Sequence, residues 1–421
     1  MGTEIKGGQK PASAAAGGAK RDMGLYVHIP FCVSRCRYCD FASTAGLPRG
    51  WQARYREALR KEYTFYRKGA AAGARWGTVY FGGGTPTYLD EDLLEGMITD
   101  LLQGGEDSGG GVAQGAPGRG GETLRQGAAP DWYEFTVEAN PGTLTEGKLA
   151  MLRKAGCGRL SIGAQSFDDR YLAWLGRRHD AAAFRRAWEA ARKAGFANMN
   201  LDLLYGLPGQ SADHWRRSLS EALAFQPEHI SLYQLNIEPG TALARLAETG
   251  QTCTADEETC RSQYLLAHQI LGEAGYLHYE ISNYALPGRE SRHNSRYWRN
   301  GYYLGLGAGA AGYLPGFRYT NKAGLEEYIT DLGHGAAPVA EREGIDEATA
   351  ETEELMLAFR LRAGVGKGHF RLRRGFDMRE KYGWALEKHL AAGLLEEDEE
   401  AIRPTLEGWL QYNHWIQDFM P

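Results

Sequence analysis

The sequence Leu25-Tyr-Val-His-Ile-Pro-Phe-Cys32-Val-Ser-Arg-Cys36-Arg-Tyr-Cys39 joins a β-like apolar run to a loop that carries three cysteines within eight positions. Three thiolates this close together are able to hold one metal centre. A structural zinc site needs a fourth ligand, and nearby His28 lies inside the strand pattern, so the pattern favours an iron–sulfur cluster over zinc. Three protein ligands leave one iron of a four-iron cluster open, which suits catalysis or cofactor binding.

Short β-rich runs recur along the chain at intervals that leave room for a helix between them, as in a parallel sheet built from βα units. The runs are residues 25–29, 78–81, 134–139, 159–163, 199–203 and 229–235. Helical patterns rich in Ala, Leu, Arg and Glu lie between them, for example at 51–67, 144–155 and 182–194. We therefore predict an α/β fold, an incomplete (β/α)6 barrel of the TIM type with its helices outside a curved parallel sheet.

Polar residues cluster at the carboxyl ends of the predicted strands, where parallel α/β folds place their chemistry. The second run leads into a glycine triplet and Thr85, and the third contains Glu138 near its end. Gln165 follows the fourth run, and Asp202 lies in the fifth. Because the carboxyl ends of parallel strands share one edge of the sheet, these side chains predict a single active-site rim.

The chain divides by composition into four expected regions. Residues 1–23 form a disordered N-terminal extension, 24–240 the barrel, 241–340 a barrel-associated segment, and 341–421 a small C-terminal helical domain of a winged-helix-like kind. The barrel carries a flexible Gly-rich insertion at 104–129. Ten glycines fall within the 24 residues 104–127, and bulky apolar side chains are almost absent there, so this stretch cannot bury enough surface to order itself.

Composition and charge exclude several classes of protein. The mean hydropathy is -0.47, and no apolar run approaches the roughly 20 residues that span a bilayer, so we expect a soluble protein. The 48 basic and 53 acidic residues are spread along the chain and give no support for a nucleic-acid partner. Six cysteines in 421 residues are too few for a disulfide scaffold, which favours a reducing, cytoplasmic location.

The Cys-x-x-x-Cys-x-x-Cys spacing after a strand resembles the signature of radical S-adenosylmethionine (SAM) enzymes. Residues 25–32 resemble the sequence that leads into the cysteine motif in the oxygen-independent coproporphyrinogen III oxidase family. That family includes the HemN dehydrogenases and the HemW heme chaperones. This resemblance implies a radical SAM barrel in which Cys32, Cys36 and Cys39 bind a 4Fe-4S cluster. In that family the open iron chelates SAM, and reduction cleaves SAM to methionine and a 5′-deoxyadenosyl radical.

The same resemblance implies which residues contact SAM. The glycine motif at 82–86 meets the methionine end of SAM, where the absence of side chains allows close backbone approach. Two carboxylates lie near the ribose and adenine. Two aromatic positions flank the cluster, although core packing is an alternative role for both. The matching positions are Tyr26, Tyr38, Gly83, Gly84, Thr85, Glu138, Gln165, Arg178 and Asp202.

Two features favour the HemW branch of this family. HemN-type proteins carry a fourth cysteine two residues beyond the third, and this chain has Phe41 there. The segment 293–298, His-Asn-Ser-Arg-Tyr-Trp, resembles the His-Asn-x-x-Tyr-Trp motif of HemW proteins. Histidine and tyrosine are both known ligands of heme iron. The heme ligand is accordingly His293, Tyr297 or neither.

The resemblance thus implies a heme chaperone that binds a 4Fe-4S cluster, SAM and heme and passes heme to acceptor proteins, with no catalytic residue assigned. Expected partners are the heme acceptors, a reductant such as a flavodoxin or ferredoxin, and at most transiently the membrane respiratory proteins; a homodimer is left open. One alternative is the conversion of coproporphyrinogen III to protoporphyrinogen IX, which Phe41 and the short N-terminal segment disfavour. The other is a structural cluster protein without SAM chemistry, which the polar rim disfavours.

Overall fold

The computed structural model describes residues 22–102 and 133–420. The strands are β1 Asp22–Ile29, β2 Phe31–Cys32, β3 Thr44–Ala45, β4 Arg75–Gly83, β5 Glu134–Ala139, β6 Arg159–Gln165, β7 Met199–Tyr205, β8 His229–Gln234, β9 Leu277–Glu280, β10 Asn283–Ala285, β11 Tyr303–Leu306, β12 Ala311–Leu314, β13 Phe317–Asn321, β14 Val339–Gly344, β15 Val365–Gly366, β16 Leu395–Glu397 and β17 Ala401–Pro404. The helices are α1 Arg49–Lys68, α2 Glu91–Leu102, α3 Glu146–Lys154, α4 Asp169–Leu175, α5 Ala181–Lys193, α6 Ala212–Ala224, α7 Ala242–Glu248, α8 Glu257–Glu273, α9 Arg292–Trp298, α10 Leu325–Gly333, α11 Glu347–Ala358, α12 Lys367–Arg374, α13 Met378–Ala391, α14 Leu406–Leu410 and α15 Tyr412–Trp415. Short 3-10 turns occur at Pro86–Tyr88, Pro141–Thr143 and Ile416–Phe419.

The main sheet is built on six parallel strands in the order β1-β4-β5-β6-β7-β8. Each of these strands coincides with one of the six predicted runs, and helices α1 to α6 lie between them in the chain. The strands are nearly continuous buried runs, as expected for parallel strands covered on both faces. Several helices are preceded by an N-cap residue whose side chain accepts a hydrogen bond from a backbone amide in the first turn. Thr145, Asp180 and Ser211 are examples.

The sheet extends beyond the six predicted strands at both edges. Strand β11 pairs in parallel with β1, and β12, β13 and β14 follow in antiparallel order; β10 and β9 add to β8. The sequence did not predict these strands because they are only three to six residues long and are mostly antiparallel, so the βα repeat is lost there.

The predicted flexible segments lie almost wholly outside the described residues. The Gly-rich insertion at 104–129 falls there entirely, as does the N-terminal extension up to residue 21. Residues 22 and 23, which the sequence analysis placed in that extension, form the start of β1. None of the helices in the described ranges is both long enough and apolar enough to cross a lipid bilayer.

A second hydrophobic core lies in the C-terminal part of the chain. It contains Leu355, Phe359, Phe370, Leu386 and Trp415, from α11, α12, α13 and α15 and their flanks. A small antiparallel sheet, β15-β17-β16, packs with these helices. The prediction of a helical domain is confirmed. The sequence analysis located none of the three strands of this sheet, because they are only two to four residues long.

A buried carboxyl group joins the first helix to the added strands. Glu62 on α1 accepts hydrogen bonds from the amide of Gly307 at 2.8 Å, the Nδ2 of Asn321 at 2.6 Å and the hydroxyl of Tyr328 at 2.5 Å. Burial raises the pKa of Glu62 to about 7, although the three donors act in the opposite direction. The folded chain therefore binds a proton at Glu62 more tightly than the unfolded chain does.

We predict that Glu62→Gln changes how stability depends on pH. The stabilising effect of protonated Glu62 is complete below the ordinary glutamate pKa of 4.5 and is lost as the pH rises to about 7. Between these values the free energy of unfolding of the wild type should fall more than that of Glu62→Gln, by on the order of 1–3 kcal/mol. Urea unfolding of the cluster-free chains at several pH values measures this difference.

The matched control for this measurement is Glu57→Gln on the same helix. Glu57 pairs with Arg60, which lowers the pKa of the Glu57 carboxyl, so its titration lies below the window. Glu57→Gln should therefore follow the wild-type pH dependence above about pH 5. Parallel curves for the wild type and Glu62→Gln would show that the Glu62 carboxyl does not titrate in this range.

Candidate functional site

A cavity of about 320 Å³ lies at the carboxyl ends of the central strands. Most of the residues predicted from the sequence to bind the cluster or SAM line it. They are Cys32, Cys36, Tyr38, Cys39, Gly83, Gly84, Thr85, Glu138, Gln165 and Asp202. The predicted polar rim is thus one continuous surface in the folded chain.

The three thiols face this cavity from one loop, which begins at β2 with the buried Cys32 and continues through the half-buried Cys36 and Cys39. Within the described ranges, no group of three or more His, Cys, Asp or Glu side chains converges on a single metal-ion position. A zinc ion needs such convergence, whereas the cysteines of a 4Fe-4S cluster bind different irons. Cysteine thiolates are the donors that iron–sulfur clusters take, so three cysteines on one loop are a donor set that fits a 4Fe-4S cluster.

Burial disfavours the charged forms of Cys32 and Cys39. It raises the pKa of the Cys32 thiol, and it raises the pKa of Cys39 to about 11. Metal ligation requires the thiolate, so assembly of a metal centre on this loop releases protons.

The glycine turn after β4 packs directly against the end of β1 and the cysteine loop. The amide of Gly84 donates to the carbonyl of Ile29 at 2.9 Å, and the amide of Thr85 donates to the carbonyl of Phe31 at 2.8 Å. A Cβ at position 84 would lie 2.8 Å from the Ile29 oxygen and 3.1 Å from the Sγ of Cys32. Gly83 has a left-handed φ of 103°, which favours glycine. Only glycines permit this close approach.

A hydrogen-bonded network connects two of the cysteines through Arg177, which the sequence analysis missed. The Nη1 of Arg177 lies 3.5 Å from the Sγ of Cys36, and its Nη2 donates to the Oδ1 of Asn140 at 2.5 Å. The Nδ2 of Asn140 donates to the Oγ1 of Thr85 at 2.7 Å, so the Thr85 hydroxyl proton is free to point at the Sγ of Cys32, 3.6 Å away. Donors to sulfur of this kind tune an iron–sulfur cluster.

The position of Arg177 follows from the residue before it. Gly176 ends α4 in the left-handed conformation, with a φ of 78°. After this turn Arg177 faces the cysteine loop, while the predicted SAM contact Arg178 is exposed and lines a smaller adjoining cavity of about 280 Å³ that also includes Cys36. Both arginines line the smaller cavity, and only Arg177 also lines the main one.

Two half-buried carboxyl groups line the same cavity. Glu138 accepts hydrogen bonds from the hydroxyl of Tyr80 at 2.7 Å and from the amide of Gly83 at 3.1 Å. Asp202 accepts one from the Nδ2 of Asn200 at 2.7 Å. Burial raises the pKa of both groups, that of Glu138 to about 7. Carboxyl groups held in place this way are ready acceptors for ligand hydroxyl or amino groups.

Tyr26 does not line the cavity. Its hydroxyl lies 2.9 Å from the Nδ1 of His28, and its ring contacts that of Tyr80 inside the barrel. The Nε2 of His28 in turn lies 2.7 Å from the carbonyl oxygen of Ala42, beyond the cysteines. Tyr26 therefore supports the cysteine loop through His28.

The His-Asn-Ser-Arg-Tyr-Trp motif forms α9, and its histidine is buried in the barrel. The Nδ1 of His293 lies 2.8 Å from the Thr78 hydroxyl and its Nε2 lies 2.7 Å from the Tyr297 hydroxyl. The His293 ring stacks on Tyr80 at 5.1 Å, and burial lowers the pKa of His293 to about 3. Both ring nitrogens are occupied, so heme ligation by His293 or Tyr297 stays a prediction that requires these bonds to break.

The site combines three features that the sequence resemblance to radical SAM proteins predicts. They are a loop of three cysteines after the first strand, a glycine turn packed on that loop, and half-buried carboxyl groups near the strand ends. Residues 26–222 match the model of the radical SAM superfamily, and residues 345–411 match the HemN C-terminal domain. Heme chaperone HemW of Bacillus subtilis is 34% identical over 397 residues, which is 94% of this chain and 98% of that protein. The chain therefore belongs to the HemW family of radical SAM proteins.

Other relatives agree with this assignment. Heme chaperone HemW of Escherichia coli is 36% identical, with 69% of this chain and 70% of that protein covered. The bovine radical S-adenosyl methionine domain-containing protein 1, mitochondrial, is 34% identical and covers 85% of this chain and 77% of its own length. The structure of coproporphyrinogen III oxidase (HemN) from Escherichia coli superimposes with a TM-score of 0.78 over 95% of this chain and 90% of that chain, at 19% identity, which shows the shared fold.

We predict that Arg177→Met weakens cluster retention while Arg178→Met does not. Loss of the Arg177 guanidinium removes the donor to Cys36 and releases Asn140, and such changes beside metal ligands cost about 10- to 100-fold in metal affinity. The iron retained during competition with a chelator measures the effect. If Arg178 contacts SAM, Arg178→Met should instead weaken SAM binding at normal iron content. Equal iron retention in the two variants would contradict the role given to Arg177.

Proposed function

We propose that this chain is a heme chaperone, which binds heme as its cargo and transfers it to acceptor proteins in the cytoplasm. The observation that carries the proposal is the similarity to proteins named heme chaperone HemW, which extends over 94% of this chain and 98% of the Bacillus subtilis relative. The proposal includes a resident 4Fe-4S cluster on Cys32, Cys36 and Cys39 and SAM in the adjoining cavity. A flavodoxin or ferredoxin would supply the electrons.

The residue after the cysteine loop supports this branch of the family. Phe41 lies two residues beyond Cys39, is 58% exposed and lines the cavity. It offers no fourth thiol there, and an apolar ring in this place suits contact with an apolar ligand or partner.

The cavity residues have separable tasks under this proposal. The cluster, when bound, supplies an electron to SAM. The backbone at Gly83 and Gly84 leaves room for the polar end of SAM, and Glu138 and Asp202 offer acceptors to its ribose and adenine groups. Arg177 holds the cysteine loop by its contact with Cys36.

Heme chaperoning and coproporphyrinogen oxidation are separated by one anaerobic experiment. The cluster is reconstituted on the full chain, and SAM and a reductant are added with either hemin or coproporphyrinogen III. We expect stable heme binding, visible in the absorption spectrum, and no conversion of coproporphyrinogen III. Formation of protoporphyrinogen IX would contradict the proposal and establish the enzymatic alternative.

A cysteine variant tests the cluster itself. We predict that Cys36→Ala loses cluster iron and SAM cleavage together, because two cysteines are too few to hold a 4Fe-4S cluster whose remaining iron is open to SAM. Cys253→Ala is the matched control, since Cys253 is exposed and distant in sequence from the loop. Iron content and the yield of 5′-deoxyadenosine are measured. SAM cleavage that survives in Cys36→Ala would contradict the assignment of this loop.

A further inference from the structure

A buried arginine reaches the main cavity without a partner. Arg159 is the first residue of β6 and is 2% exposed. Within residues 22–102 and 133–420 its guanidinium has no hydrogen-bond acceptor and no carboxylate oxygen within 4 Å, and its Nε is fully buried. Arg159 lines the cavity and its two Nη atoms are not fully buried, so these atoms face the cavity. Because burying an unpaired charge is costly, this guanidinium is suited to a bound anion.

Arg159 lies at the opposite end of the barrel from the cysteines. Strand β6 ends at Gln165, and Arg159, Ser161 and Gly163 alternate along its inner face, where all of them line the cavity. With a rise of about 3.3 Å per residue, the backbone of Arg159 lies about 20 Å from that of Gln165. The cavity therefore extends from the cysteine loop into the interior of the barrel, with Arg159 at its inner end.

The asparagine of the His-Asn-Ser-Arg-Tyr-Trp motif faces the same inner end. Helix α9 closes the barrel where its strands begin, since the amide of His293 donates to Glu134, the first residue of β5, at 2.9 Å. The next residue, Asn294, lines the cavity, and its side-chain amide has no hydrogen-bond partner among the described residues. Burial lowers the pKa of His293 to about 3 and the charge of Arg159 acts in the same direction, so Arg159 is close to α9. We call Arg159 and Asn294 the barrel floor.

The donors of the barrel floor match a single negative charge. A guanidinium offers two parallel N–H groups to the two oxygens of a carboxylate, and the amide of Asn294 adds further N–H donors. Glu138 and Asp202 line the same cavity. Burial raises the pKa of both carboxyl groups and the charge of Arg159 opposes this, so Arg159 is near both. One cation beside two acidic groups disfavours a dianion such as phosphate and fits a carboxylate.

The carboxylate of SAM is not the group that fits this place. Under the proposed function the methionine end of SAM lies at the glycine turn, beside the cysteine loop at the carboxyl end of the sheet. Arg159 lies at the other end of β6. A SAM molecule that reaches the cluster therefore presents its ribose and adenine to the interior, and these groups carry no negative charge. The anion at the barrel floor belongs to a second molecule.

We propose that the barrel floor, Arg159 and Asn294, binds the carboxylate of a small monocarboxylic acid inside the barrel, beneath the position proposed for SAM. The site lies in the interior of the barrel, so the ligand is a small molecule and not a segment of a partner protein. The inference rests on the SAM position in the proposed function and adds a second ligand to that cavity. It makes no use of heme.

Acetate and propionate are the probes, because each is a carboxylate with a short apolar tail. They are labelled with carbon-13 and titrated into the cluster-loaded full chain at constant ionic strength in chloride, and NMR gives the dissociation constant. Arg159→Met should weaken binding by about tenfold or more, because it removes charge-assisted hydrogen bonds. Asn294→Ala should weaken it by a smaller factor. Arg216→Met, at an exposed arginine on α6, is the matched control and should bind as the wild type does.

Thermal unfolding separates ligand binding from a structural role of Arg159. In chloride alone Arg159→Met should unfold at the same temperature as the wild type or a higher one, because methionine removes a buried charge that has no partner. Acetate should raise the unfolding temperature of the wild type and not that of Arg159→Met. Arg159→Lys keeps the charge without the planar fork, should also bind acetate more weakly, and replaces Arg159→Met if that variant loses its cluster iron.

Competition distinguishes the possible sources of the carboxylate. We expect acetate to stay bound when SAM or hemin is added at saturation. Displacement by SAM would assign Arg159 to the carboxylate of SAM, and displacement by hemin would assign it to the heme cargo; either result would overturn the inference and leave the proposed function standing.

Three further outcomes are decisive. Equal acetate binding by the wild type and both Arg159 variants would overturn the inference, as would a wild type that does not bind acetate or propionate. Tighter binding of phosphate than of acetate would overturn the carboxylate class. Failure of the wild type to bind hemin would overturn the proposed function, whereas acetate binding that depends on Arg159 would still support this site.

Discussion

The close packing of the glycine turn against the end of β1 is the constraint on which the site depends. The amides of Gly84 and Thr85 donate to the carbonyls of Ile29 and Phe31, so the turn and the start of the cysteine loop are held as one unit. A side chain at position 84 would push the turn away from Cys32. Because this unit lies at the carboxyl end of the sheet, the thiols and the carboxyl groups of neighbouring strands share one cavity.

A path of contacts within the protein connects the α9 motif to this cavity. His293 is fixed by Thr78 and Tyr297, and its ring stacks on Tyr80. The hydroxyl of Tyr80 donates to Glu138, which in turn accepts from the amide of Gly83. The motif thus supports the glycine turn from inside the barrel, and this structural role accounts for a histidine that burial keeps neutral.

The sequence predicted the parts of the fold that repeat and the parts of the site that follow a strand. All six central strands were predicted because each is a mostly buried strand of six to nine residues, and helical patterns lie between them. The cavity is lined by Cys32, Glu138 and Asp202, as expected for residues near the carboxyl ends of neighbouring parallel strands. The edge strands were missed because they are short and antiparallel and therefore lack that repeat.

Contacts between distant segments were beyond prediction from a single sequence. Arg177 reaches Cys36 across 141 residues, and His278 meets His268 between a strand and a helix. No local pattern marks such pairs, since the distance between them is set by how whole elements pack. Arg177 and Arg178 illustrate this limit, because they are adjacent in sequence and only Arg177 lines the main cavity.

The central claim is that the three thiols of this loop hold a 4Fe-4S cluster with one iron open to SAM. Electron–nuclear double resonance on the reduced, reconstituted chain tests it directly, with SAM labelled isotopically in its amino and carboxylate groups. The account predicts hyperfine coupling from both labels to the cluster. A cluster signal that SAM leaves unchanged, with no coupling to either label, would contradict it.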